Sequence, residues 1–213
     1  MRQSVAHILI TAGPTREFLD PVRYLSNASS GTMACALAQA WLARGHQVTI
    51  VTGPVSIQYP PAATVVPVVT TQEMLNASVL ALPECDGVMA VAAPCDFRPA
   101  AFSDQKIKKQ DDQGLTLQLL PTPDILAALT AQKPQAWFVG FALETENGLA
   151  HAIAKKKKKG CDWILLNQAS AIGSSDTTIQ IIDHRDQAHS PISGDKFGVA
   201  VRLVELLEQH FVC

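Results

Sequence analysis

At 213 residues, 47% hydrophobic and 17% charged, the chain has the bulk for a sizeable core and a composition that excludes a disordered, collagen-like or coiled-coil protein. Seventeen Lys and Arg against nineteen Asp and Glu give a formal charge of −2, but eight lysines sit in two stretches, Lys106-Ile107-Lys108-Lys109 and the run 155–159, and the remainder carries nine basic and nineteen acidic groups, a formal −10. Positive charge confined in this way excludes the broad basic face of a duplex-DNA binder and fits a small polyanionic ligand.

A short apolar run at 6–11, ending at Gly13-Pro14, reads as a buried strand. Residues 32–44 read as a helix, with Met33, Leu37, Ala40 and Trp41 at helical spacing and Gly45 just past its end. Strands follow at 47–52, stopped by Gly53-Pro54, and at 64–69, then a helix at 72–82. Residues 86–93 form a fourth strand, apolar nearly throughout, as expected when both faces of a sheet are covered. The polar segment 96–114 leads to a short strand at 115–120, and a helix starts at Pro123 with Thr122 as its N-cap. A strand at 136–141, a helix at 148–159 closed by Gly160, and a strand at 163–166 come next. Residues 179–183 and their neighbours read as a hairpin before a last helix at 196–211. Strands alternating with helices predict an α/β fold: a doubly wound, mostly parallel, Rossmann-like sheet with helices on both faces and a small antiparallel hairpin, as one domain over 1–213. Such sheets bind ligands beyond the carboxyl ends of their strands.

The five cysteines (Cys35, Cys85, Cys95, Cys161, Cys213) are odd in number and include no CxxC pair, which reads as thiols in a reducing compartment. The six histidines show no HxxxH or HExxH spacing, so no histidine-based metal site is expected. The N-terminal residues lack a long apolar stretch, and no run reaches the ~18–20 residues of a membrane span. A cytoplasmic protein with no membrane partner is expected.

The connection after the first strand carries the chemistry. Rossmann proteins place GxGxxG there; this chain instead has Thr11-Ala12-Gly13-Pro14-Thr15-Arg16-Glu17, and the helix begins only after Ser26-Asn27-Ala28-Ser29-Ser30-Gly31. GxxxxGK[ST] is absent as well. A connection so much longer than the usual 2–6 residues is generally functional. Ser29-Ser30-Gly31 has the makings of an anion site at a helix N-terminus, or of an ordinary serine cap. Arg16 and Arg23 can fork onto a phosphate or carboxylate, or pair with Glu17 and Asp20.

These residues resemble a known family. The 11–17 block, then Leu19-Asp20-Pro21-Val22-Arg23-Tyr24, then 26–31, are similar to the first motif of phosphopantothenoylcysteine synthetase, the phosphopantothenate–cysteine ligase of coenzyme A biosynthesis. Ala92-Ala93-Pro94-Cys95-Asp96-Phe97-Arg98-Pro99, Lys106-Ile107-Lys108-Lys109, Pro123-Asp124-Ile125-Leu126, Val139-Gly140-Phe141-Ala142-Leu143-Glu144-Thr145 and the lysine-terminated helix fit the same family in the right order. In many bacteria this activity is the C-terminal half of a fusion with a flavin-dependent decarboxylase. This chain begins at the ligase half, so the resemblance is to a stand-alone synthetase without flavin.

The resemblance implies that 4′-phosphopantothenate attacks the α-phosphate of CTP, releasing pyrophosphate, and that the amine of L-cysteine then displaces CMP from the acyl-cytidylate. It implies Mg²⁺ and a homodimer; Asp96, after an apolar strand at the sheet's carboxyl edge, can hold a ribose, a base amine or that ion, and no nucleic acid is expected as partner. Asn27 matches the asparagine that engages the acyl-nucleotide, and Lys106 the catalytic lysine of a flap over the site. Gly13, Ser29, Ser30, Gly31, Ala92, Asp96 and Lys106 match nucleotide-binding positions, as do Pro123, Asp124, Ile125, Leu126 and Phe141 around the base. Arg23, Asn27 and Ala93 match the substrate positions. Lys155 and Lys159, i and i+4 on one helical face, match the phosphate-contacting lysines, leaving 156–158 to solvent.

Without the resemblance, each feature has a plainer reading: a solvated loop for the KIKK block, a turn for Asn27 and for Asp96, core packing for Phe141, a dipole-complementing helix end for the lysine run. The chain departs from the family at Thr32 and Ala34, where Lys and Gly are usual, and at Pro94-Cys95, where Val-Ala is usual. Thr32 removes a cation near the phosphates, for which the lysine run would compensate. The segment 174–178 follows the family's acidic pattern only in part. Two other functions fit this class of sheet: an NAD(P)- or flavin-dependent oxidoreductase, and a non-catalytic nucleotide-binding paralogue.

Overall fold

Strand β1 (His7–Ala12) carries apolar side chains on both faces, and each face meets its own layer of helices. Ile8, Ile10 and Ala12 enter one apolar cluster and Leu9 the other, all fully buried. This period-two division with both faces covered marks an interior parallel strand. The computed structural model describes residues 4–109, 114–144, 148–168 and 176–212.

After β1 the chain forms β2 (Arg16–Phe18), β3 (Tyr24–Ser26), α1 (Thr32–Ala43), β4 (Gln47–Thr52), β5 (Thr64–Pro67), α2 (Thr71–Ala81) and β6 (Gly87–Ala90). Then come β7 (Phe97–Pro99), β8 (Leu119–Pro121), α3 (Ile125–Gln132), β9 (Trp137–Glu144), α4 (Gly148–Lys159), β10 (Trp163–Gln168), β11 (Asp176–Ile182), β12 (Ile192–Asp195) and α5 (Lys196–Phe211). The main sheet has the order β12-β11-β10-β9-β6-β1-β4-β5. Its strands from β10 to β5 are parallel, and β11 and β12 add an antiparallel hairpin at one edge. The expected α/β architecture is present.

Helices α1 and α5 cover one face: Leu37, Ala38 and Trp41 pack with Val199, Leu203 and Leu207 against Ile10, Ile50 and Val139. Helices α2 and α3 cover the other, with Met74, Leu126 and Leu129 against Val51, Val88 and Phe138. Helix α4 packs through Ala152 against Ala142 and Ile164. Local signals start these helices where they are needed. Thr70 and Glu73 form a reciprocal capping box on α2, and Asp195 caps α5 through the N–H of Gly198.

The chain leaves β1 toward β4 on one side and returns to β6 on the other, so β1 and β6 flank the point where the winding reverses. A crevice opens beyond the carboxyl end of β6, lined also from β9 and β10.

Four local readings change. The connection at 13–31 is not all loop: β2 and β3 pair as a small antiparallel sheet. The strand expected at 115–120 is shortened to Leu119–Pro121 and pairs with β7. Strands of three residues bury too little to leave a period in the sequence. The strand at 86–93 ends at Ala90, and Ala93 then bridges to Pro14. Helix α3 starts at Ile125, not Pro123, because the Asp124 carboxylate accepts the Ala127 N–H while the Thr122 hydroxyl donates to the carbonyl of Cys95.

Candidate active site at the carboxyl edge of the sheet

Two left-handed glycines turn the chain before α1, and the second, Gly31, lines the crevice. Gly13 leaves β1 at φ +68°, where a Cβ would stand 2.8 Å from Val55 Cγ1. Gly31 opens α1 at φ +75°, and a Cβ there would meet Tyr59 Oη at 2.9 Å. Both are left-handed positions that a side chain would strain. The Tyr59 hydroxyl is itself held at 2.9 Å by Thr52 Oγ1.

The crevice is a cleft of about 110 Å³. Ser29, Ser30 and Gly31 enter it from the start of α1, Val91 from beyond β6, Leu143 from β9 and Asn167 from β10. Lys196, the first residue of α5, reaches the same cleft, its Nζ 3.3 Å from Thr32 Oγ1. Ser30 Oγ lies 2.8 Å from that same Thr32 oxygen. Helix-start amides, hydroxyls and an ammonium converge here, which is the chemistry of a phosphate site.

A polar spine joins this first block to the second. Cys95 N donates to Thr15 Oγ1 (2.8 Å), Thr15 and Thr71 share a hydroxyl contact at 2.8 Å, and Ala93 N donates to the carbonyl of Gly13 (2.9 Å). Asn27 Nδ2 donates to the carbonyls of Ala93 (3.3 Å) and Pro94 (2.9 Å), so Asn27 and Ala93 meet. Ala92 lies beside Thr11, its N–H 3.4 Å from the hydroxyl oxygen. Asp96 projects to solvent on the same turn. The Cys95 thiol is buried against the carbonyls of Thr15 and Leu25, and burial raises its pKa. A buried thiol with a raised pKa is a poor nucleophile.

The α3–α4 side brings together Asp124, Phe141, Lys155 and Lys159. Lys159 Nζ pairs with the Asp124 carboxylate, and Lys155 Nζ donates to the Phe141 carbonyl at 3.0 Å. The side chains of Ile125 and Leu126 are buried in the α2–α3 core, so at 123–126 the polar groups offered to a ligand are those of the backbone and Asp124. Phe141 is half-buried against the α1–α5 cluster.

The lysine run differs from expectation at Lys156. It is buried, with Nζ donating to the Asp183 carbonyl and standing 2.8 Å from Asp186 Oδ1, while Lys157 takes Asp186 Oδ2 at 2.7 Å. These two lysines hold the β11–β12 turn. The ammonium beside Thr32 is that of Lys196.

Arg23 pairs with Asp20 through Nε (3.0 Å) and Nη2 (2.7 Å), and Nη2 also donates to the carbonyl of Ile107. Arg23 thus touches the KIKK block, whose Lys106 is exposed. Glu17 is instead taken by the N–H of Thr71, and Arg16 lies over the Tyr24 ring at 4.5 Å. Thr145, Ser174 and Ser175 lie outside the described residues.

Lys196, Asn167, Asp20 and Tyr59 are the site-region residues that sequence reasoning did not select. Lys196 carried a weak signal, an Asp-Lys pair at a helix start; its partner Thr32 is 164 residues away. Among the described residues, no three His, Cys, Asp or Glu side chains converge as a metal cage, and no helix is long and apolar enough to cross a membrane.

Residues 4–211 match the family described as DNA/pantothenate metabolism flavoprotein C-terminal domain. The chain belongs to that family. It is 40% identical over 208 residues to the coenzyme A biosynthesis bifunctional protein CoaBC of Vibrio vulnificus (strain CMCP6), covering 95% of this chain and 51% of that protein. The chain thus spans about half the length of the curated relatives it matches. The crystal structure of the C-terminal domain of a CoaBC protein superposes with a TM-score of 0.81 at 31% identity, covering 96% of this chain and 95% of that one. A Cab2 H337A variant in complex with phosphopantothenate-cysteine shares the fold, with a TM-score of 0.82 at 17% identity and coverage of 97% and 86%. The family is thus the one that the motifs resembled.

Proposed function

We propose that the chain is a phosphopantothenate–cysteine ligase using CTP, and that the crevice beyond the carboxyl end of β6 is its active site. One observation carries the reading: in a chain of this family, Ser29–Gly31 at the α1 N-terminus and the Lys196 ammonium face one cleft. That arrangement suits the phosphates of a nucleotide. The complex named for Cab2, with phosphopantothenate-cysteine, supports the choice of substrates.

In the first step the carboxylate of 4′-phosphopantothenate attacks the α-phosphorus of CTP. An acyl–phosphate bond forms, the α–β bridge breaks, and pyrophosphate leaves with its electron pair. Charge grows on the pyrophosphate, so helix-start amides, Ser30, Lys196, Lys155 and Lys159 are the groups suited to bind it. Lys106 is assigned to the charge developing at the reacting centre. In the second step the cysteine amine attacks the acyl carbonyl, the amide forms, and CMP departs as the amine loses its proton. Asn27, held against the Ala93 and Pro94 carbonyls, is assigned to orient the acyl group, with Ala93 and Arg23 beside the substrate. The backbone at Ala92 and 123–126, with Phe141, is assigned to the cytosine; Gly13 lets the backbone approach.

Mg²⁺ fits this chain as the nucleotide's companion ion: Asp96 is an exposed carboxylate that belongs to no group of three or more His, Cys, Asp or Glu side chains among the described residues. When bound it neutralises phosphate charge. A homodimer is supported by the exposed apolar side chains of the two small sheets, Val22, Tyr24, Phe97 and Leu119, where β2 packs against β7.

The test is mass-spectrometric detection of phosphopantothenoylcysteine from 4′-phosphopantothenate, L-cysteine and CTP or ATP. Product with CTP well above that with ATP is expected. No product with either nucleotide leaves a binding protein; oxidation of NADPH, or absorbance near 450 nm in the purified protein, points to the oxidoreductase.

A further inference from the structure

Asp20 is fully buried, yet it is an ion-pair partner on an exposed hairpin. Its Oδ1 accepts the N–H groups of Val22 (2.8 Å) and Arg23 (2.9 Å). Its Oδ2 accepts Arg23 Nε and Nη2, and also the N–H of Ile107 at 3.1 Å. Arg23 Nη2 in turn donates to the carbonyl of Ile107. The two side chains therefore hold both polar groups of one backbone residue, 87 positions along the chain.

We propose that Asp20 is a positioning residue for the reaction, gripping Ile107 together with Arg23 so that the neighbouring Lys106 is presented at a fixed place over the site. This rests on the assignment of Lys106 under the proposed function. Holding both N–H and C=O of a residue fixes its φ and ψ, and the Lys106 Cα is only one peptide, about 3.8 Å, away. The segment has no helix or strand of its own to do this: residues 100–109 belong to neither, and Ser103 tethers its start through the Leu19 carbonyl at 2.9 Å. A carboxylate whose lone pairs are all taken in a buried setting makes charge-assisted bonds that are strong and directional. Burial works against its ionisation, but the N–H groups of Val22, Ile107 and Arg23, with the guanidinium, outweigh it and hold the carboxyl well below the usual range. The grip is therefore intact at every pH at which a ligase would be assayed.

A displacement of about 1 Å in a reacting group costs on the order of a hundredfold. Asp20→Asn should lower kcat by about tenfold to a hundredfold with the KM for CTP little changed. The deciding experiment is a double-mutant cycle with Lys106→Ala, read with tryptic cleavage at Lys106, Lys108 and Lys109. If Asp20 acts through Lys106, Asp20→Asn adds little to the kcat loss of Lys106→Ala, and cleavage in this segment accelerates in the intact protein. Equal losses from Asp20→Asn in both backgrounds, an undiminished kcat, or unchanged cleavage overturns the proposal. Should Asp20→Asn not fold, tryptic cleavage of Arg23→Gln, which removes the contact to the Ile107 carbonyl from a half-exposed residue, decides the anchoring: acceleration at Lys106, Lys108 and Lys109 is expected, and an unchanged rate overturns it. Absence of ligase product in the unsubstituted protein would overturn the assigned function instead, and the cleavage comparison would still decide whether Asp20 anchors the segment.

Discussion

The Lys196 ammonium lies 3.3 Å from Thr32 Oγ1, joining the first residue of the last helix to the first residue of α1. With threonine at 32, the positive charge beside the Ser29–Gly31 turn comes from the start of α5. That placement has a consequence for nucleotide binding. Loss of one bond to a charged group costs about 1.5–3 kcal/mol. Lys196→Ala should therefore raise the nucleotide KM by roughly tenfold or more while the KM for 4′-phosphopantothenate changes little. Steady-state kinetics check this, and an unchanged nucleotide KM removes Lys196 from the site.

The lysine run divides by burial. Lys156 is 4% exposed and bound to the β11–β12 turn, whereas Lys158 is exposed. Lys156→Ala should lower the melting temperature by about 4–8 °C, the equivalent of about 2 kcal/mol for one charged hydrogen bond. Lys158→Ala should change it by about 2 °C or less. Thermal unfolding of both variants tests the assignment; equal melting temperatures would mean that Lys156 bears no structural load.

Acid should unfold the protein through a small set of buried carboxylates. Burial raises the pKa of Glu208, but Arg44 and His46 outweigh it and the net shift is downward. At Asp183 burial is likewise outweighed, there by the N–H groups of Gln187 and Arg185 and by His189. Unfolded values are about 4.3 for Glu and 3.9 for Asp. The ionised groups therefore stabilise the fold above those values, and the contribution is lost as pH falls through the lower folded ones. Urea unfolding should show stability falling below about pH 4, with a shallower acid limb in Glu208→Gln. An identical limb in that variant would remove Glu208 from the account.

Cys95 sits at the junction of the two motif blocks but is only 6% exposed; burial raises the pKa of both Cys95 and Cys35, so exposure sets their order of reaction. Iodoacetamide at neutral pH should label the half-buried Cys35 before Cys95 and leave activity intact while Cys95 is unmodified. Peptide mapping decides it, and labelling of Cys95 ahead of Cys35 would contradict the buried geometry.

The sheet was legible because its interior parallel strands are buried on both faces: β1, β4 and the long β9 each announce themselves as apolar runs, and glycines stop the first two. The hairpins β2–β3 and β7–β8 were not, since three residues carry no period and β8 finds its partner some twenty residues upstream. Asn27 meets Ala93, and Lys159 meets Asp124, across motif blocks that the sequence read separately. The Arg23–Asp20 pair was legible, but Lys196 and the Asp20 contact to Ile107 stayed hidden because Thr32 and Ile107 are distant in the chain. Lys156 was misread for a related reason: a run of five lysines looks solvated until Asp183 and Asp186 come to meet one of them.

Pyrophosphate release without cysteine reports on the chemistry of the crevice itself. Mixing the protein with CTP and 4′-phosphopantothenate alone should release about one pyrophosphate per active site, as acyl-cytidylate accumulates, and L-cysteine should then convert that burst into turnover. No pyrophosphate in the presence of both substrates would contradict the account.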